Sequence, residues 1–131
     1  MKIITLWQPW AWFIAMGWKT IETRTHDRFG SLLGQRIGIH AGMKWDDEWV
    51  SATYDYLSME NLIRTKNSIR VHGAIICTAF VEGYGKLYEK DSEQALIDCE
   101  YTTRYGLFLS DIKRMESIAV KGKQGIWEYN V

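Results

Sequence analysis

From Leu6 to Arg24 the chain reads Leu-Trp-Gln-Pro-Trp-Ala-Trp-Phe-Ile-Ala-Met-Gly-Trp-Lys-Thr-Ile-Glu-Thr-Arg, and this run constrains the fold more than any other. It carries four of the seven tryptophans and ends in Lys19, Glu22 and Arg24. Pro9 suits the first turn of a helix, residues 10–16 continue it, and Gly17 is free to close it in the left-handed conformation. Two turns that are apolar all round must be buried on most sides, and they are too short to span a bilayer. The rest of the chain therefore has to wrap this helix. Charged groups delivered beside so much apolar surface are costly unless they pair with one another or with a ligand, which is the chemistry of a cleft wall. Core packing is the expectation for Trp12 and Trp18; Trp10, beside Pro9 at the helix start, is the tryptophan expected to face a ligand.

The 131 residues fit one domain, 1–131, with a real core, and 47% hydrophobic with 24% charged residues excludes a disordered chain. Sixteen basic residues balance sixteen acidic ones. A protein that grips nucleic acid mainly through phosphates is basic on at least one face, so neutrality favours a small ligand, a nucleoside or a short strand. Cys77 and Cys99 lack CxxC spacing, so neither a zinc site nor a disulfide framework is expected, and no metal or cofactor is implied. Met1–Thr5 reads as a strand and not as a cleavable signal, and no membrane partner is expected, so the expected location is cytoplasmic.

Lys2–Trp7 is the first strand and Thr20–Arg24 the second, with Ile21 and Thr23 on one face and Thr20, Glu22 and Arg24 on the other. Phe29–Gln35 is a loop. Arg36–His40 is a strand ending at Ala41-Gly42, which would bring the His40 imidazole to a sheet rim. Asp46 to about Leu57 is predicted helical, with an acidic first turn. Met59–Asn67 reads as a short helix or an insertion. Val71–Glu82 is the strongest strand, expected to be central and broken by Gly83-Tyr84-Gly85. Ser92–Cys99 is helix-like and Tyr105–Ser110 a strand, after which Asp111–Met115 leads into a turn. Lys121–Gly125 reads as a glycine-bounded hairpin, with Ile126–Asn130 as the closing strand. Regular strand–helix alternation is absent, so the expected class is α+β, mainly β: a small mixed β-barrel with flanking short helices.

The chain resembles the ASCH domain family, a branch of the PUA-like superfamily. The residues that carry the likeness are Gln8-Pro9-Trp10-Ala11, then Gly17-x-Lys19-Thr20-Ile21-Glu22-x-Arg24, then Ile39-His40-Ala41. Leu107-x-Leu109-x-Asp111-Ile112 and Gly122-Lys123-Gln124-Gly125-Ile126-Trp127 follow in the same order. The resemblance implies a PUA-like barrel with a cleft beside the first helix for RNA or a nucleobase-like ligand. It also implies RNA-related roles, including coactivation and in some members ribonuclease activity. One branch resembles amidohydrolases that deacylate N4-acetylcytidine. That branch has threonine where this chain has Glu22 and needs a distant glutamate, for which Glu82 and Glu100 are the candidates here.

The candidate ligand-binding residues are Gln8, Pro9, Trp10, Lys19, Thr20, Glu22, Arg24, His40 and Tyr105. Lys19 is suited to a phosphate contact, an oxyanion contact or, with a depressed pKa, a nucleophile, against the plainer alternative of an ion pair with Glu22. Glu22 can accept from a base edge or shuttle a proton, or simply pair with Arg24. Arg24 can stack on a base or clamp a phosphate, with Asp27 as a structural alternative. His40 is an acid–base or base-edge candidate, or a satisfied structural histidine; Gln8 either reads a base edge or caps the helix; Tyr105 is a stacking candidate. His26 and His72 have no patterned partners. A binding module for RNA, a short single strand or a modified nucleoside is the first expectation. A hydrolase using Lys19, Glu22 and His40 is the second, and an adaptor whose Trp-rich helix docks a protein partner is the third.

Overall fold

The computed structural model describes residues 1–68, 71–100 and 103–131. Six strands, β1 (Lys2–Gln8), β2 (Ile21–Arg24), β3 (Arg36–Trp45), β4 (Ala74–Lys86), β5 (Tyr105–Ala119) and β6 (Ile126–Glu128), form one mixed sheet in the order β2-β5-β4-β3-β1-β6. Four short helices accompany it: α1 (Trp10–Ala15), α2 (Trp49–Thr53), α3 (Met59–Asn67) and α4 (Ser92–Ala95). The class is thus α+β and mainly β. No ladder joins the outer strands β2 and β6 among the described residues, so the sheet is open where a closed barrel was expected. Among those residues no helix is long and apolar enough to cross a membrane.

The ladders β2–β5, β5–β4, β4–β3 and β1–β6 are antiparallel, whereas β1 and β3 run parallel. Parallel neighbours need a crossover, and α1 with β2 lies in that connection. Three register shifts interrupt the β4–β5 ladder. Each inserts an unpaired residue that bends its strand and sharpens the local twist. The consequence shows at the margins. Thr5–Trp7 of β1 and Glu22–Arg24 of β2 line one cleft, although β3, β4 and β5 separate them in the sheet. Flat, four ladder steps would hold those strands about 19 Å apart. The sheet is therefore rolled, and the cleft occupies the seam between its margins.

Several boundaries differ from the sequence reading. β3 continues past Gly42 to Trp45, so His40 sits inside a strand and not at its end. β4 passes through Gly83-Tyr84-Gly85, because a register shift between Val81 and Gly83 absorbs the irregularity instead of ending the strand. A Cβ at Gly83 would press on Phe108 at 3.3 Å, which explains the glycine as a close approach between strands. β5 likewise runs on through Asp111–Met115, expected to lead into a turn, and the Asp111 φ of 45° marks a bend. Arg36 of β3 steadies that bend, donating to Thr78 Oγ1 (3.0 Å) and pairing with the Asp111 carboxylate. α2 and α4 are shorter than the predicted helices, beginning at Trp49 and ending at Ala95 respectively. The Lys121–Gly125 segment is not a hairpin, since β6 pairs with β1 and not with β5.

The main core lies between the sheet and α1, with Ile4, Leu6, Ile14, Ile39, Cys77 and Leu107 among its buried residues. A second cluster gathers Phe13, Trp49, Leu57 and Leu96, with Trp10, Trp12 and Trp18 packed against it. Ala11, Phe13, Ile14 and Ala15 of α1 are buried, while Trp10 and Trp12 are half-buried. Both cysteines are buried, and burial pushes the Cys77 thiol up to about 12.

Candidate functional site

Gln8 begins the site. Its side-chain oxygen accepts from Trp12 N (2.9 Å) and its amide donates to the Val71 carbonyl (2.8 Å), so it caps α1 and ties it to the start of β4's approach. Gln8 and Pro9 are both buried, and neither lines the cleft. α1 ends in a Schellman motif: Gly17 N donates to Ile14 O (2.9 Å) and Trp18 N to Phe13 O (3.0 Å), with Gly17 at φ +77°. Lys19 N reaches the same Phe13 carbonyl (3.1 Å), and the tight turn carries Lys19 back beneath the helix. Thr20 then fixes the strand start through its backbone, donating to Gln94 O and accepting from Leu109 N, and stays outside the cleft lining.

A cleft of about 630 Å³ opens there, and Trp10, Lys19, Glu22 and Arg24 all line it. Trp10 is held at two edges: its indole N–H donates to Asp46 Oδ2 (2.9 Å), and its ring meets Phe13 edge-on at 5.6 Å. Asp46 is itself anchored by accepting from Glu48 N at 2.9 Å. The Lys19 ammonium lies 5.2 Å from the Trp10 ring centroid and donates to the Ala95 carbonyl at 2.5 Å. Lys19 is 1% exposed. Burial lowers its pKa to about 8; the Glu22 carboxylate pulls the other way and is outweighed.

Glu22 is also buried, accepting from Thr23 N (3.0 Å) and pairing with Arg24 at 3.6 Å. Arg24 spreads over the Phe29 ring at 4.9 Å, and its buried Nε has no hydrogen-bond partner among the described residues. Sequence reasoning missed four further charged residues that line the cleft: Asp46, Glu48, Asp98 and Arg104. Arg104 Nη1 donates to Thr23 Oγ1 at 3.3 Å. No spacing in the sequence marks these residues, because they come from the approach to α2 and from the segments flanking α4 and β5. The suggested distant acids Glu82 and Glu100 do not line the cleft, whereas Asp46, Glu48 and Asp98 do.

His40 and Tyr105 lie elsewhere. His40 lines a different cavity of about 560 Å³, with Lys121, Gly122 and Lys123. Its Nε2 is 2.7 Å from the Val120 carbonyl, which can only accept, so Nε2 carries the proton. The ring also packs edge-on against Trp127 at 5.4 Å. Tyr105 stacks on Tyr84 at 6.3 Å and is the ladder partner of Arg24. Among the described residues no group of three or more His, Cys, Asp or Glu side chains is placed to hold a metal ion.

No protein-family model matches the sequence, and no curated protein matches it either. Solved structures do. ASCH from Zymomonas mobilis is similar over 98% of this chain and 87% of its own, at 18% identity and a TM-score of 0.64. Two single-substitution variants of that protein are similar at TM-scores of 0.61 and 0.55, with 17% and 18% identity, over 98% and 90% of this chain and 87% and 74% of theirs. Likeness at this identity speaks to architecture, and it agrees with the motifs read from the sequence: the chain has the fold of an ASCH domain.

Proposed function

We propose that the cleft binds RNA through a nucleobase, with the base lying against Trp10 and its polar edge meeting Glu22, Lys19 and Arg24. The observation that carries this reading is the convergence of an oriented indole, a buried carboxylate and two cations on one open cleft. Three cations, Lys19, Arg24 and Arg104, face four carboxylates, Glu22, Asp46, Glu48 and Asp98. A wall of mixed sign is poorly matched to a run of phosphates and well matched to a base edge, which presents donors and acceptors side by side. The aromatic face supplies the stacking that single-stranded recognition uses.

Titration of the protein with adenosine, cytidine, guanosine, uridine and short single-stranded RNA at low salt tests the reading. Glu22→Gln and Trp10→Ala are expected to weaken binding by about tenfold or more each. Absence of binding by every one of these probes defeats it.

A second reading, hydrolysis of an acyl group on a modified base or of RNA itself, is favoured by one observation: the buried Lys19 amine titrates at about 8. A lysine that is partly neutral near physiological pH can take up a proton or attack a carbonyl, and Glu22 on the same wall offers a carboxylate for proton transfer. Incubation with N4-acetylcytidine and with end-labelled RNA distinguishes the two readings. Turnover that disappears in Lys19→Ala supports hydrolysis; unchanged substrates at high protein concentration leave recognition alone.

A further inference from the structure

The cleft does not end at Arg24. Thr5, Trp7 and Arg24 line it and also line an adjoining groove of about 440 Å³. The new lining residues are His26, Arg28, Phe29 and the Gln124–Ile126 segment, so the groove runs on along the seam between β2 and the β1–β6 margin. Its electrostatics differ from those of the cleft. Among the described residues no carboxylate lines it, although Asp27 lies close enough to act on His26, whereas four carboxylates line the cleft. His26 is held below its ordinary pKa by burial and then by Arg28 and Arg24, so the positive charge comes from the two arginines.

Its aromatic furniture also differs. Trp7 is 50% exposed at the junction of cleft and groove, an unusual place for a large apolar ring. Lys44 Nζ lies 5.1 Å from its ring centroid. Arg24 is already oriented, its guanidinium carbon 4.9 Å from the Phe29 ring centroid and its buried Nε satisfied by no described residue. A mixed-sign pocket, an exposed ring and a groove lined by Arg28 and by Arg24, which also pairs with Glu22 at 3.6 Å, thus adjoin one another.

We infer that the ligand is a single-stranded polynucleotide that continues from the cleft over Trp7 into the Arg24–Arg28 groove, its next base stacking on Trp7 and its phosphates meeting the two arginines. This rests on the reading of the cleft as a nucleobase site and extends it: one nucleoside would fill only the cleft. The order of the surfaces fits that chemistry, since a base needs paired donors and acceptors while the linking phosphate needs cations without competing carboxylates.

The test compares adenosine, cytidine and uridine with the octaribonucleotide of each, using the whole chain. The octamer is expected to bind at least about tenfold more tightly than its nucleoside, from one added stacked base and two phosphate contacts. In Arg28→Ala the octamer-to-nucleoside affinity ratio is expected to fall towards one, and the slope of log affinity against log salt to lessen by about 0.7. Arg28 is exposed, so its loss should leave the fold intact, and Arg28→Glu should lower the ratio further. Equal affinities for octamer and nucleoside in the wild type, or a ratio that survives both Arg28 variants, overturns the extension while the cleft reading stands. Failure of every probe to bind, or octamer binding indifferent to Trp10→Ala, overturns the cleft reading and the extension with it.

Discussion

The Lys19 ammonium donates to the Ala95 carbonyl at 2.5 Å, joining the turn after the tryptophan-rich helix to the last residue of α4. The bond closes one side of the cleft, and Thr20 N to Gln94 O at 3.0 Å reinforces it one residue away. It also holds a charge where water is excluded, and this makes Lys19 titrate within an accessible range.

Stability should therefore depend on pH in a definite direction. With Lys19 near 8 when folded and at its ordinary 10.5 when unfolded, the unfolded chain holds a proton between those values that the folded chain has released. Stability from this group rises with pH across 8–10.5, and below 8 the burial penalty is fully present. Urea unfolding of the wild type, taken relative to Lys19→Met at pH 8 and pH 10, should show a gain on the order of 2 kcal/mol. A difference that is flat or falls with pH contradicts the assignment.

Gln8→Ala should be costly for reasons unrelated to ligand. The substitution frees the Trp12 N–H and the Val71 carbonyl, both of which Gln8 satisfies. A loss of roughly 2–3 kcal/mol in denaturant stability is expected; an unchanged midpoint would show that other groups replace both bonds.

Asp46→Ala should separate orientation from stability. Asp46 holds the Trp10 indole N–H at a position bordering the cleft. Loss of that bond lets the ring swing, so binding of the best RNA probe should fall about tenfold with a stability change near 1 kcal/mol. Retained affinity would mean that Phe13 alone fixes the ring.

Gly122 and His40 should show strong coupling. A Cβ at Gly122 would meet His40 Nδ1 at 2.7 Å and Thr5 Oγ1 at 2.9 Å. Gly122→Ala is expected to destabilise by about 1–3 kcal/mol, and His40→Ala in the same chain should restore part of that loss. Simple addition of the two effects in the double variant would show that the contact relaxes freely.

The strands were legible where alternation and β-branched residues coincide, as in β1, β2 and the first half of β4, and the helix α1 was legible from Pro9, its apolar run and Gly17. Glycine misled at Gly83 and Gly85, because their spacing marks a bulged, closely approached strand as readily as a turn. Asp111 misled likewise by bending a strand without ending it. In the site, Trp10, Lys19, Glu22 and Arg24 come together because one turn and one strand place them, a local matter that spacing can report. Asp46, Asp98 and Arg104 arrive from distant segments, and their arrangement depends on how the sheet rolls. His40 was expected at a sheet rim because Ala41-Gly42 reads as a strand end, whereas β3 runs on to Trp45.

That roll has a consequence for variation far from the cleft. Its two walls belong to strands four ladder steps apart, so small changes of twist in β3, β4 and β5 add up at the opening, as the jaws of a caliper move with its hinge. The bore of the site is set by residues that never touch its contents. Substitutions at the bulges between Ile75 and Gly83 would alter which ligands fit without changing the identity of any lining side chain.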